Sequence, residues 1–182
     1  MRALPLHLSM GLALSLFGTS AFATTGTISF EGKITSSTCP IEVVNPGDGS
    51  IGNLVRMIEV DASRFTAVDQ DRGGKAFSLR LKPGAGCSLD PDTNTATVTF
   101  SGVADGDHYA IRNADEDAAE GVAIVIKDKT NTPVKNGEAS AEYNLSSTDP
   151  TDMQFTAFYR STAAVVKAGP ASADIAFVVN IN

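Results

Sequence analysis

The chain has 182 residues, 42% apolar and 19% charged, with 14 basic and 21 acidic side chains and a net charge of −7. That length fits one domain with enough chain to bury a core of its own. The acidic balance argues against nucleic acid and anionic membrane as partners, because either would repel it.

Residues 1–23 read as a secretory signal peptide. Arg2 supplies the positive start, Met10–Phe17 the apolar core, and Ala21-Phe22-Ala23 the small-residue cleavage pattern. The apolar run falls short of the ~20 residues that a spanning helix needs, and no later stretch is long enough, so no membrane span is expected after signal removal. The mature chain, Thr24–Asn182, then has 159 residues with 13 basic and 21 acidic side chains, a net charge of −8 (13 − 21).

The mature chain opens on a strand pattern. In Gly26–Thr35, Ile28, Phe30, Gly32 and Ile34 fall on one side of an extended chain, and Ser29, Glu31, Lys33 and Thr35 on the other. Gly32 interrupts the apolar row; glycine weakens a strand unless a backbone or crowded surface must approach there, or it marks a simple bulge. A strand tethered at one end only is free to pair in its own sheet or to leave and pair with another molecule.

Two cysteines follow, Cys39 and Cys87. In an exported chain they are most simply one disulfide. With a single mature histidine and no CxxC spacing they do not make a zinc site. Between them, Ile41–Val44 is a short apolar run, Asn45–Gly49 a turn, Leu54–Val60 a strand, and the polar, glycine-rich Phe65–Lys75 a loop. Ala76–Lys82 alternates, with Phe77, Leu79 and Leu81 inward.

Further on, Thr95–Phe100 is rich in β-branched residues and Val122–Ile126 reads as a buried strand. Asn113–Gly121 fits a helical turn or a loop, Asp128–Thr132 a turn, and Tyr143–Asp152 a polar connection. Met153–Tyr159 is a strand. The chain ends on Ala171, Ala173, Ile175, Phe177, Val179 and Ile181, all on one face. Short strands, abundant turn residues and no sustained helical period predict an all-β sandwich. The count, about seven or eight strands, suits an immunoglobulin-like sandwich that stops before its last strand. The N-terminal strand is chemically suited to fill such a gap.

No catalytic constellation is visible. His108 is the only mature histidine; Asp105-Gly106-Asp107-His108-Tyr109 reads as a solvated loop, and no GxSxG motif accompanies it. The acids Asp105, Asp107, Asp115, Glu116, Asp117 and Glu120 do not match a calcium-loop spacing and read as solvated surface. Asn144-Leu145-Ser146 is formally a glycosylation sequon, relevant only in a eukaryotic secretory host. The expectation is a protein that is not an enzyme and has no cofactor or metal.

Taken together, these pieces resemble the major pilins of chaperone–usher fimbriae, the type 1 fimbrial family. Gly26–Ile34 followed by Cys39 resembles the family's N-terminal extension and first cysteine. Phe77, Leu79 and Leu81 leading to Cys87 resemble the strand before the second. Val98–Gly102 and Gly121–Asp128 resemble the middle strands. Phe155–Tyr159 with Gly169, Ala171, Ala173 and Phe177 resembles the closing motif. Ile181 departs from the family's next-to-last tyrosine, and the loop before Cys87 is longer than usual.

The resemblance implies an incomplete immunoglobulin-like β-sandwich, residues 37–182, completed by a donor strand from another subunit. It implies that residues 24–36 are the donor-strand extension, carrying Ile28, Phe30, Gly32 and Ile34, and that Ile175, Phe177, Val179 and Ile181 line one side of the acceptor groove. The implied partners are identical or related fimbrial subunits, a periplasmic chaperone and an outer-membrane usher. The implied route runs through the periplasm to a cell-surface fimbrium that supports adhesion. The alternative is a self-contained secreted β-sandwich binding module, or a minor or tip subunit contacting a host glycan.

Overall fold

The computed structural model describes residues 39–45, 49–84, 87, 89–90, 94–112 and 117–182. All of them lie in one compact unit, Thr35–Asn182. The expected signal peptide, residues 1–23, the expected donor-strand extension, residues 24–36, and the acids Asp115 and Glu116 fall outside the described residues.

Ten strands are described: β1 (Ile41–Val44), β2 (Asp71–Leu81), β3 (Thr95–Gly102), β4 (Ala104–Asp105), β5 (His108–Ala110), β6 (Val122–Lys127), β7 (Pro133–Val134), β8 (Tyr143–Asn144), β9 (Thr151–Ser161) and β10 (Ile175–Ile181). A single 3₁₀ turn, Ala62–Arg64, is started by the Asp61 carboxylate, which accepts a hydrogen bond of 2.8 Å from the Ser63 amide. The larger sheet runs β1-β2-β9-β6-β5-β4, with β7 also on β6; the smaller runs β10-β3-β8. Every ladder is antiparallel. The fold is an all-β sandwich of two antiparallel sheets.

The alternation expected in Ala76–Lys82 sets the register. Phe77, Leu79 and Leu81 on β2 are buried, and β9 lays Phe155 and Met153 opposite Phe77 and Leu79. On β3, Ala96, Val98 and Phe100 are buried between half-buried threonines. The sheets meet through four rings. Phe77 stacks on Phe155 at 5.6 Å between centroids, and Phe100 meets Phe155 edge-on at 5.0 Å. Tyr143 lies 5.4 Å from Phe155. Its hydroxyl donates to the Gln154 carbonyl at 2.6 Å and accepts from the Lys129 amide at 3.2 Å, so β8 is pinned across to β9. Burial pushes that hydroxyl up to about 12. β6 reads as a continuous apolar run because it is buried on both faces, with Val122–Ile126 all below the surface.

Three expectations change. Phe65–Lys75 is a loop only as far as Gln70, since Asp71–Lys75 already belongs to β2. Its polar residues hid the strand: they point outward into ion pairs, and Gly73-Gly74 form a bulge between Arg72 and Lys75. Tyr143–Asp152 holds β8 and the first residues of β9. Leu54–Val60 forms no ladder among the described residues, although its side chains still alternate. Val55, Met57 and Val60 pack against the core while Leu54, Arg56 and Ile58 are exposed. Around His108 the chain makes the hairpin β4–β5, turning at Gly106 with φ of +59°.

Candidate functional site: an apolar edge beside β10

β10 is an edge strand. It pairs with β3 from Ile175 opposite Gly102 to Ile181 opposite Ala96, and among the described residues its other edge carries no ladder. Ile175, Phe177, Val179 and Ile181 are each only partly buried, and all four pack on the core. Four aliphatic or aromatic side chains in a row at an open edge leave apolar surface and unpaired backbone side by side.

Other half-buried apolar side chains lie on β1 and on the segment that follows it. Ile41 and Val43 on β1, then Val55, Met57 and Val60, are likewise half-buried against the same core. Gly73 holds the second piece in place. At φ of +67° it has no Cβ, and one built there would sit 2.6 Å from Val60 Cγ2. The β2 bulge therefore lets the 58–60 backbone lie directly on the sheet.

Val60 also lines a cavity of about 440 Å3, together with Ile58, Phe65, Tyr159, Val166 and Ala171 among others. The Tyr159 hydroxyl donates to the Ala171 carbonyl at 3.3 Å. Gly169 allows the loop that follows β9 to close the cavity, since a Cβ at that position would overlap the Asp117 carbonyl. The Ala119 amide donates to the Pro170 carbonyl at 3.0 Å and locks that contact.

The sequence-predicted residues Ile175, Phe177, Val179 and Ile181 thus share one open face. Sequence reasoning did not single out Ile41, Val43, Val55, Met57 and Val60, which pack half-buried on the same core, although the alternation of Leu54–Ile58 carried part of the signal. Ile28, Phe30, Gly32 and Ile34 lie outside the described residues. Cys39 and Cys87 form a disulfide, which fastens the start of β1 to the end of β2 beside Leu81.

A polar cluster occupies the outer face of the larger sheet. The Asp71 carboxylate accepts two hydrogen bonds from the Arg160 guanidinium, at 2.6 and 2.8 Å, and the Lys127 ammonium lies 2.9 Å away. Lys127 also sits 5.1 Å from the centroid of the Phe158 ring, which crosses β2 where Gly74 has no side chain. Burial would raise the Asp71 carboxyl, but the bonds from Arg160 and Lys127 outweigh it and hold the group below its ordinary value. His108 belongs here too, which corrects the reading of a solvated loop residue: it is on β5, half-buried, with Nε2 3.4 Å from Arg160. Burial first and the Arg160 charge second make the imidazole harder to protonate. The hairpin that carries it was hidden by the polar run Asp105–Asp107.

This cluster ties β2, β6 and β9 together, and one prediction follows from it. Asp71→Asn leaves Lys127 and Arg160 facing each other with one acceptor fewer and is expected to cost roughly 2 kcal/mol, read from denaturant melts at neutral pH. Because the folded carboxyl is depressed, its contribution is complete above the unfolded carboxylate value of about 4 and is lost as pH falls through the folded value. Wild type and Asp71→Asn should therefore converge in stability in acid. A gap that stays constant with pH would sink the assignment.

Among the described residues no group of three or more histidines, cysteines or acids is placed to hold a metal ion, and no helix is long and apolar enough to cross a membrane. Asp107 pairs with Lys135 at 3.3 Å and Glu120 with Lys167 at 2.6 Å.

Comparison with known proteins finds fimbrial subunits. The family model described as fimbrial protein matches residues 28–182. A probable major fimbrial subunit, LpfA, of Escherichia coli O157:H7 is 35% identical over 173 residues, 91% of this chain and 90% of that one. The type 1 fimbrial subunit of Salmonella typhimurium is 33% identical over 160 residues, 85% of this chain and 81% of its own. Among solved structures, an antigen and type I fimbria protein of Burkholderia pseudomallei superposes with a TM-score of 0.58 at 26% identity, covering 79% of this chain and 99% of its own. With the match running across both cysteines and the whole sandwich, this chain belongs to the fimbrial protein family.

Proposed function

We propose that this chain is a structural subunit of a chaperone–usher fimbria and joins its neighbours by donor-strand exchange. The observation that carries the reading is the open edge of β10, where Ile175, Phe177, Val179 and Ile181 are half-buried beside a backbone edge that carries no ladder among the described residues. An extended segment with apolar residues at every second position is the chemical complement of such an edge. The segment with that pattern is this chain's own Ile28-Ser29-Phe30-Glu31-Gly32-Lys33-Ile34. Ladder bonds supply generic affinity, and the alternation sets register, since a slip by one residue would turn Ile28, Phe30 and Ile34 to solvent. Gly32 fits where the groove is shallow.

In this reading residues 1–23 are removed on export, residues 24–36 serve as the donated extension, and a second copy or a related subunit receives it. A periplasmic chaperone covers the groove before assembly, and an outer-membrane usher hands the subunit to the growing fibre at the cell surface.

The test is Phe30→Asp in the full mature chain. Wild type is expected to form polymers that survive SDS without heating and appear as a ladder on a gel. The variant should remain monomeric and melt at a lower temperature than the wild-type polymer, because its groove stays empty. Polymers of wild-type length from the variant would overturn the proposal.

A further inference from the structure

We propose that Asn136 is a deamidation site that the fold keeps closed. It is protected while its carboxamide caps the end of β3, and it converts to aspartate or isoaspartate in a chain whose β3 edge has opened. Asn136-Gly137 is the one Asn-Gly pair in the sequence.

β3 carries β10 along one edge. Along the other, β8 pairs with Thr95 and Ala96. From Val98 to Gly102 that edge is closed by the loop 136–140, with a bridge between Thr99 and Ala139. The Ser140 amide donates to the Val98 carbonyl at 2.9 Å, and the Val98 amide donates to Ser140 Oγ at 3.0 Å. The Gly137 amide donates to the Phe100 carbonyl at 2.8 Å. At the last rung a side chain stands in for a strand. Asn136 Nδ2 donates to the Gly102 carbonyl at 3.0 Å, and Asn136 Oδ1 accepts from the Gly102 amide at 3.2 Å. A carboxamide offers a donor and an acceptor side by side, whereas a carboxylate only accepts. Gly102 is also the residue opposite Ile175, so this rung backs the start of β10.

The same two residues carry a reaction of their own. The Gly137 nitrogen can attack Asn136 Cγ and close a five-membered imide. The N–Cγ bond forms, the Cγ–Nδ2 bond breaks, and the proton of the attacking nitrogen leaves with ammonia. Water then opens the imide at either carbonyl, giving aspartate or isoaspartate. Glycine on the attacking side has no Cβ to crowd the ring. In the fold both reactants are engaged, the Gly137 amide on Phe100 and the carboxamide on Gly102 through both of its ends. Gly137, at φ of +83°, is the third residue of a turn that the Glu138 amide closes onto the Lys135 carbonyl at 3.0 Å, which fixes the backbone as well. Reaction therefore waits for 136–140 to leave β3. Afterwards the rung is lost. Aspartate sets a second acceptor against the Gly102 carbonyl, and isoaspartate lengthens the backbone ahead of Gly137 by a methylene. The conversion irreversibly marks a chain whose sandwich has stood open.

The test follows Asn136 by peptide mass spectrometry in the full mature chain, at mildly alkaline pH, with and without concentrated urea. In urea Asn136 should convert faster than any other asparagine of the chain. In native buffer its rate should be at least about tenfold lower. Ser140→Ala removes one bond from the same loop and should raise the native rate by about two- to tenfold, with the urea rate unchanged. Asn136→Asp supplies the product directly. It should unfold at lower denaturant than wild type at neutral pH, and the gap should close below about pH 4, where the protonated acid again offers Gly102 a donor. The charges around the position, Lys135 paired with Asp107, Arg112 paired with Asp174, and Glu138, are common to both chains. An equal rate with and without urea, an unreactive Asn136 in urea, or a native Ser140→Ala rate equal to wild type would overturn the closed site. An Asn136→Asp chain as stable as wild type, or a gap unchanged by acid, would overturn the rung. None of these readouts depends on polymerisation, so they stand or fall separately from strand exchange.

Discussion

Mixed in equal amounts, Phe30→Asp and Phe177→Asp chains should form dimers and stop there. The first has an intact β10 edge and a spoiled donor strand; the second has an intact donor strand and a charge in its groove wall. Only one productive pairing exists, the Phe177→Asp extension in the Phe30→Asp groove, and neither product can grow. Seating Ile28, Phe30 and Ile34 buries three large side chains at roughly 1.5–3 kcal/mol each, about 5–9 kcal/mol together. Aspartate in the middle of that row forfeits its share and forces a carboxylate into an apolar slot, a penalty of several kcal/mol more. At 1.4 kcal/mol per tenfold, the affinity of the spoiled strand falls by about a thousandfold or more. The experiment does not require the Phe177→Asp sandwich to stay folded, because its role is to donate. Size-exclusion chromatography with light scattering reads the outcome. Long polymers from the mixture would show that subunits join elsewhere. Long polymers from Phe177→Asp alone would show that β10 is not the receiving edge, and a mixture that stays monomeric while wild type polymerises would show that the Phe177→Asp chain no longer donates its extension. Wild type that stays monomeric would favour the self-contained binding module.

The residues at which sequence reading succeeded share a cause. Phe77, Leu79, Leu81, Phe155 and the β10 row alternate because one face of each strand meets the core, and that constraint is written in residue type. Where the constraint is weaker, the pattern misleads. Asp71–Lys75 looked like a loop because its outward residues are satisfied by Arg160 and Lys127 from other strands, which a local window does not contain. His108 looked solvated because its neighbours in sequence are aspartates, while its neighbour in space is Arg160. The half-buried residues of β1 and of Val55, Met57 and Val60 were missed for a related reason. A short strand such as β1 and a segment without a ladder such as Leu54–Val60 have too little pattern of their own to say what they pack on. Of the candidate site, the shared face of β10 follows from pattern, whereas the seating of Val60 depends on Gly73 thirteen residues later, which a local window does not contain.

Removing the disulfide, by Cys39→Ser with Cys87→Ser, should lower the stability of the sandwich by roughly 4 kcal/mol. The bridge spans a sequence separation of 48, and closing a loop of that length in the unfolded chain costs about this much in the chain-entropy model. Its position makes the loss local as well as global. β1 has only four residues and one ladder, to β2 from Ile41 opposite Leu81 to Val44 opposite Ser78. Beyond it, the described residues hold the segment by the Val44–Ile51 bridge and the bond from Asn45 Nδ2 to the Leu54 carbonyl at 3.3 Å. Cys39 anchors the near end of β1 to Cys87, which is buried and returns a 2.8 Å bond from its amide to the Gly84 carbonyl. Without that anchor β1 can fray and take Ile41 and Val43 off the core on which they pack. Denaturant melts of the Phe30→Asp background, with and without the two serines, measure the global term. Hydrogen exchange at Ile41–Val44 measures the local one, and it should rise by more than exchange in β9, whose ladders to β2 and β6 do not depend on the bridge. Equal protection of β1 and β9 in the serine variant would mean that the disulfide acts on the unfolded chain alone. The groove would then owe its shape to the ladder and the core.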